Sequence, residues 1–236
     1  MKQQHLSFYK RAFFLIVCWA ALTCAAQSYS FPILRSGEDY RDAIRKNPDN
    51  RLVELKSRVP GLAYDLQYAT TNNFMHRQMY PRNTTTTFMR EPAAEALAAI
   101  QKELNREGLG LKIFDAYRPF KVSEKFWELV KDERYVANPA KGSNHNRGTA
   151  VDLTLIDLKT GRELPMGTGF DNFTDTAHHS FTALPPQVLR NREQLKSIMQ
   201  QHGFKSLDSE WWHYTYTTGT FDVLDLSFKQ LSKYNK

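Results

Sequence analysis

Apolar positions recur at helical spacing in three stretches of the chain. Leu97, Ile100 and Leu104 share one face of a helix predicted over residues 92–107, with Pro92 in its first turn and Gly108 as its stop. Val122, Phe126, Leu129 and Val130 mark a second helix after Pro119, and Val188, Leu195, Ile198 and Met199 a third over 186–202 that ends at Gly203. Strands are predicted at 111–114, at 150–156, where the pattern alternates before a turn at 157–161, and at 211–217, which is aromatic and Thr-rich. From Arg51, the positions Val53, Leu55, Leu62, Tyr64, Leu66 and Tyr68 read as extended segments broken at Pro60-Gly61, with loops at Asn72-Asn73 and 83–87. Residues 31–50 mix Pro, Gly and charge without a period, and read as an extension packed on the body. Helices and strands are interspersed without strict alternation, so the fold class expected is α+β in a single domain.

The first residues differ from the rest. Lys2, Lys10 and Arg11 precede a nearly unbroken apolar run from Ala12 to Ala26, closed by Cys24, Ala25 and Ala26. That order reads as a secretory signal peptide over 1–26, because the run is shorter than the roughly 18–20 apolar residues of a membrane-spanning helix. The expected organisation is a signal at 1–26, an N-terminal extension at 27–50 and the main domain at 51–236. A lipoprotein with Cys24 as its lipidated first residue is the second reading, disfavoured by the size of Thr23 just before it. The compartment expected is the bacterial periplasm, with no stable membrane insertion once the signal is cleaved.

Composition narrows the function. The 236 residues are 41% hydrophobic and 24% charged, which excludes disorder, collagen and coiled coil. Both cysteines, Cys18 and Cys24, lie inside the signal, so a chain starting near Gln27 forms no disulfide. The formal net charge of +7 drops to +4 without Lys2, Lys10 and Arg11. With no run of five basic residues, binding to nucleic acid has little support.

Three polar clusters stand at predicted strand edges: Asp115-Ala116-Tyr117-Arg118, the stretch from Ser143 to Asp152, and Glu210-Trp211-Trp212-His213. Two imidazoles and a carboxylate suit Zn²⁺, which in catalytic sites takes three protein ligands and leaves a fourth position to water. His145, Asp152 and His213 would supply them, leaving Glu210 as the base. On a straight strand, however, His145 and Asp152, seven apart, point to opposite faces, as do Glu210 and His213, three apart. Gly148 can bend the first segment, and Glu210 is expected at a loop or bulge just before the strand of His213. Each residue alone has a plainer reading: a satisfied histidine, a turn aspartate, a solvated glutamate, core tryptophans, or an Arg118 paired with Asp115 at the surface. His178-His179 lack a third partner and are set apart from the metal.

The spacing S-x-H-x-x-G-x-A-x-D, followed about sixty residues later by E-W-W-H, resembles the zinc D-Ala-D-Ala peptidases that share a fold with the hedgehog signalling domain. Within that group the chain is most similar to the D-alanyl-D-alanine dipeptidases, the type that includes the vancomycin-resistance dipeptidase. The likeness runs from Leu62 to Thr217 and includes Tyr68-Ala69-Thr70, Asn73-Phe74, Asp115 to Pro119, Ser143 to Leu155, Met166-Gly167, Phe170-Asp171, His178-His179 and Glu210 to Tyr214.

The resemblance implies a central antiparallel sheet with flanking helices. It implies one Zn²⁺ per chain on His145, Asp152 and His213, with Glu210 as catalytic base and Arg118 beside the reacting carbonyl. Tyr68, Ser143, Asp171 and Asp115 are implied to form the binding site for a small D,D-dipeptide, with Asp171 near its free amino group. Two other functions use the same residues: a D,D-carboxypeptidase or endopeptidase acting on peptidoglycan stem peptides, and a non-catalytic zinc-containing module that binds peptidoglycan. A purely structural zinc site needs neither Glu210 nor Arg118. The oligomeric state has no sequence signal.

Overall fold

A computed structural model describes residues 29–235; the signal expected at 1–26 lies outside them. In chain order the elements are β1 (Ile33–Leu34), α1 (Gly37–Lys46), β2 (Leu52–Glu54), α2 (Leu55–Arg58), β3 (Ala63–Tyr64), β4 (Phe88–Arg90), α3 (Glu91–Arg106), β5 (Leu109–Asp115) and α4 (Phe120–Val130). They continue with α5 (Asn144–Arg147), β6 (Ala150–Asp157), α6 (Pro186–Gln201), β7 (Phe204–Leu207), β8 (Glu210–Tyr216), β9 (Val223–Leu224) and α7 (Phe228–Tyr234). Five strands form the main sheet in the order β3-β5-β6-β8-β7. All its pairings are antiparallel except β3 with β5 at one edge. The α+β expectation therefore holds.

The long helices follow the sequence closely. Leu97, Ile100 and Leu104 of α3 are fully buried, and Gly108, at φ +74°, ends the helix in the left-handed conformation that glycine adopts without strain. Leu195 and Met199 of α6 join them against Leu111 and Ile113 of β5 and Val151, Leu153 and Leu155 of β6. In α4 Phe126 is buried, whereas Leu129 is exposed at the surface. Side chains alternate along a strand, so Asp152 faces away from this packed layer, as does His213, its directly paired neighbour on β8. One face of the sheet is core; the other presents polar groups to a cavity.

Strand β6 lies between β5 and β8, and seven of its eight residues are buried. Two local expectations need correction. The extended run expected from Arg51 is interrupted by the helical turn α2, capped by the Glu54 carboxylate on the Ser57 N–H. Residues 37–46, which show no hydrophobic period, form a helix. Only Tyr40 in it is buried, and the Ser36 hydroxyl caps it by accepting from the Asp39 N–H. The described part of the extension does pack on the body: β1 pairs with β9, and Phe31 sits edge-on to Phe120.

Candidate active site

His145 is placed by a very short helix. The Ser143 hydroxyl accepts from the His145 N–H at 3.2 Å, and the Asn146 side chain returns a bond to the Ser143 N–H, which completes a capping box. Gly148, at φ +71°, then reverses the chain into β6, so the bend expected there is what lets His145 and Asp152 converge. His145 Nδ1 donates to the Ala116 carbonyl at 2.7 Å, which leaves the Nε2 lone pair facing the cavity.

His213 and Asp152 face each other across paired strands, with His213 Nδ1 at 2.8 Å from Asp152 Oδ1. His145 Nε2 lies 3.3 Å from His213 Nδ1 and 3.5 Å from Asp152 Oδ2. One ligand atom from each of the three residues lies within 4.8 Å of the others, close enough for the three to share one zinc ion. Electrostatics point the same way. Burial pushes the Asp152 carboxyl well above its ordinary range, with the Asp115 charge adding to the rise, and burial lowers both imidazoles. A buried carboxylate and two neutral imidazoles aimed at one point suit a cation there.

Glu210 reaches this cluster through an irregular strand. Pairing of β7 with β8 jumps from Ser206–Tyr214 to Leu207–Glu210, so the stretch 211–213 is extra on β8. The bulge expected ahead of the strand lies within it, and Glu210 is the strand's first residue. Its Oε2 stands 3.9 Å from His213 Nδ1. Burial pushes its carboxyl up to about 7; Asp152 adds to the rise, while His213 and Arg118 oppose it.

Arg118 follows β5 on a loop tied to the histidine turn: its N–H donates to the His145 carbonyl at 3.1 Å, and its own carbonyl accepts from Asn146 Nδ2 at 2.8 Å. The guanidinium lies over the rings of Phe126 and Tyr68, at 4.8 and 5.2 Å. Burial works against its charge, but Asp115, with Tyr80, Tyr68 and Asp152 adding to it, outweighs that and keeps it protonated.

These groups line a cavity of about 610 Å³, together with Tyr68, Ser143 and Asp171. The Tyr68 hydroxyl donates to Asp171 Oδ2 at 2.9 Å. Asp171 has φ +56°, a left-handed conformation uncommon outside glycine, and burial raises its carboxyl well above the ordinary range. Phe170 before it stacks on Phe114 and meets Trp212 edge-on, fixing this end of the cavity.

A family model described as D-ala-D-ala dipeptidase matches residues 48–230. The chain belongs to that family. The D-alanyl-D-alanine dipeptidase of Escherichia coli (strain K12) is 39% identical over 163 residues, covering 69% of this chain and 83% of that protein. The enzyme of the same name from Enterococcus faecium is 32% identical over 174 residues, covering 66% and 86%. Among solved structures, the vancomycin-resistance D,D-pentapeptidase VanY in complex with Zn(II) overlaps 56% of this chain and 75% of its own, at 14% identity and a TM-score of 0.35. The extension before residue 48 lies outside the family match.

Against this dipeptidase framework, Asp115 requires correction. It does not line the cavity and is fully buried; Oδ1 accepts from the Tyr80 hydroxyl at 2.6 Å, and Oδ2 accepts from Arg118 Nε and Nη2 at 3.2 and 2.7 Å. It holds Arg118 and has no surface left for substrate. The pair is also not a surface pair. His178 and His179 stay outside the cluster: His178 lies 4.0 Å from Asp175, and the His179 ring sits beside Tyr214, which belongs to the packed core layer. Sequence reasoning missed Tyr80, in a loop without periodicity, and Asn146, whose spacing from Ser143 is a capping signal.

Proposed function

We propose that the protein is a zinc-dependent D-alanyl-D-alanine dipeptidase, releasing two D-alanines in peptidoglycan metabolism. The reading rests on one observation above the others: Glu210 lies just outside a His145–Asp152–His213 cluster whose ligand atoms lie within 4.8 Å of one another. It is supported by the family match and by the names of the relatives. Zinc held by His145, Asp152 and His213 would supply a Lewis acid and a water acidic enough to ionise near neutral pH. The Glu210 carboxylate takes the proton of the attacking water and passes it to the departing amine as the C–N bond breaks. Arg118, permanently charged and fixed by Asp115, stabilises the negative charge that builds on the carbonyl oxygen.

Asp171, with Tyr68 bonded to it, receives the ammonium end of the dipeptide. An acylated or extended amino end would leave that carboxylate buried and unpaired, which disfavours longer peptides. Export by cleavage of a signal near Ala26, and work in the periplasm, belong to the same reading. Purified protein assayed on D-Ala-D-Ala and on an N-acylated pentapeptide ending in D-Ala-D-Ala tests it. Cleavage of the dipeptide alone is expected; cleavage of the pentapeptide alone would replace the dipeptidase with a carboxypeptidase.

A further inference from the structure

We propose that Tyr80 is a positioning residue for the reaction, acting through Asp115 to hold the Arg118 guanidinium at the cavity wall. This rests on the dipeptidase reading for the role of Arg118, but not for the contact itself. The arrangement is asymmetric. Arg118 donates through both Nε and Nη2 to a single oxygen of Asp115, Oδ2, rather than one bond to each oxygen. The usual guanidinium–carboxylate pair is a two-by-two fork. What occupies the other oxygen is the Tyr80 hydroxyl, at 2.6 Å.

Tyr80 is itself locked. It is 3% exposed, its N–H donates to the Tyr68 carbonyl at 2.9 Å, and its ring meets Phe228 of α7 and Tyr68 edge-on at 4.9 and 5.8 Å. Burial, reinforced by the Asp115 charge, raises the phenol well above its ordinary range, so it stays a donor. Remove that hydroxyl and the buried Oδ1 loses its side-chain donor, which is costly. The least expensive relief is rotation of the carboxylate about Cβ–Cγ so that both oxygens face Arg118. The guanidinium then draws toward Asp115 into the fork and away from the cavity. Misplacing a transition-state donor by about 1 Å can cost on the order of a hundredfold in rate.

The test is Tyr80→Phe, which keeps the ring and removes the hydroxyl. Tyr40→Phe serves as the control: Tyr40 is equally buried, and its hydroxyl accepts from the Leu52 N–H at 2.7 Å and bonds neither Asp115 nor Arg118. In zinc-loaded protein the Arg118 Nε–H resonance, assigned by its loss in Arg118→Ala, is expected to shift in Tyr80→Phe and not in Tyr40→Phe. On D-Ala-D-Ala, Tyr80→Phe is expected to lower kcat by about tenfold with KM within about twofold, as for a group acting in the transition state. Added to Arg118→Ala, it should lower kcat by less than about twofold, because coupled positions are not additive.

An unmoved resonance, or an equal loss of kcat on either background, overturns the inference. So does a comparable kcat loss in Tyr40→Phe. If the wild-type protein leaves D-Ala-D-Ala intact, the dipeptidase reading falls while the resonance still decides whether Tyr80 holds Arg118.

Discussion

His213 Nδ1 stands 2.8 Å from Asp152 Oδ1 across two paired antiparallel strands, so the sheet register itself fixes two of the three ligand-type groups. The third, His145, arrives on a capped turn released into the same sheet by Gly148. Substituting Gly148 forces a side chain into a left-handed backbone and brings its Cβ to 3.1 Å from Leu52 Cδ2. Gly148→Ala should cost about 1–2 kcal/mol of stability. It should also weaken zinc binding by about tenfold or more, as loss of a ligand's support does. Chemical unfolding and a competitive zinc titration check the two effects.

Glu210 is the base in the proposed mechanism and not a ligand. Glu210→Gln should therefore retain one zinc per chain while kcat falls by about a hundredfold to ten-thousandfold. Metal analysis beside turnover separates this from a role as ligand, for which both would fall.

Arg118 contributes a rigid, charged fork. Arg118→Ala should lower kcat by about a hundredfold or more with zinc content unchanged. Arg118→Lys should recover only part of the loss, since an ammonium cannot make the two bonds to Asp115 Oδ2 and still face the cavity. Steady-state kinetics on both variants measure the difference.

His179 links stability to pH. Its burial lowers the imidazole from 6.5 to about 4, with the Lys196 and Arg192 charges adding to the shift. Between those two pH values the unfolded chain binds a proton that the folded one refuses, so stability falls as pH drops from 6.5 toward 4. Above 6.5 the contribution is fully present. In metal-free protein, His179→Gln should show a shallower loss of unfolding free energy across that window than wild type.

The parts of the fold legible in the sequence are those where one signal dominates. Helices α3 and α6 carry an apolar stripe, a Pro in the first turn and a Gly stop, and their observed ends fall within a residue of the expected ones. Helix α1 was not legible, since its stability comes from a serine cap and a single buried tyrosine rather than from a stripe. The ligand-type residues carry a spacing that composition cannot mimic, yet their convergence depends on a turn and a bulge. Only glycine at 148 signalled the first. Asp115 lies beside Arg118 in sequence and so invites a binding role; that Tyr80 and Arg118 consume both its oxygens is a fact of packing. Tyr80 comes from a loop without any period, and no local pattern marks it.

The most direct measurement is release of D-alanine from D-Ala-D-Ala by the purified protein, before chelation, after it, and after zinc is restored. Turnover is expected to disappear with the metal and to return with one equivalent of zinc per chain. Turnover that persists in protein shown to be metal-free, or none at all with one zinc bound, would contradict the proposed function.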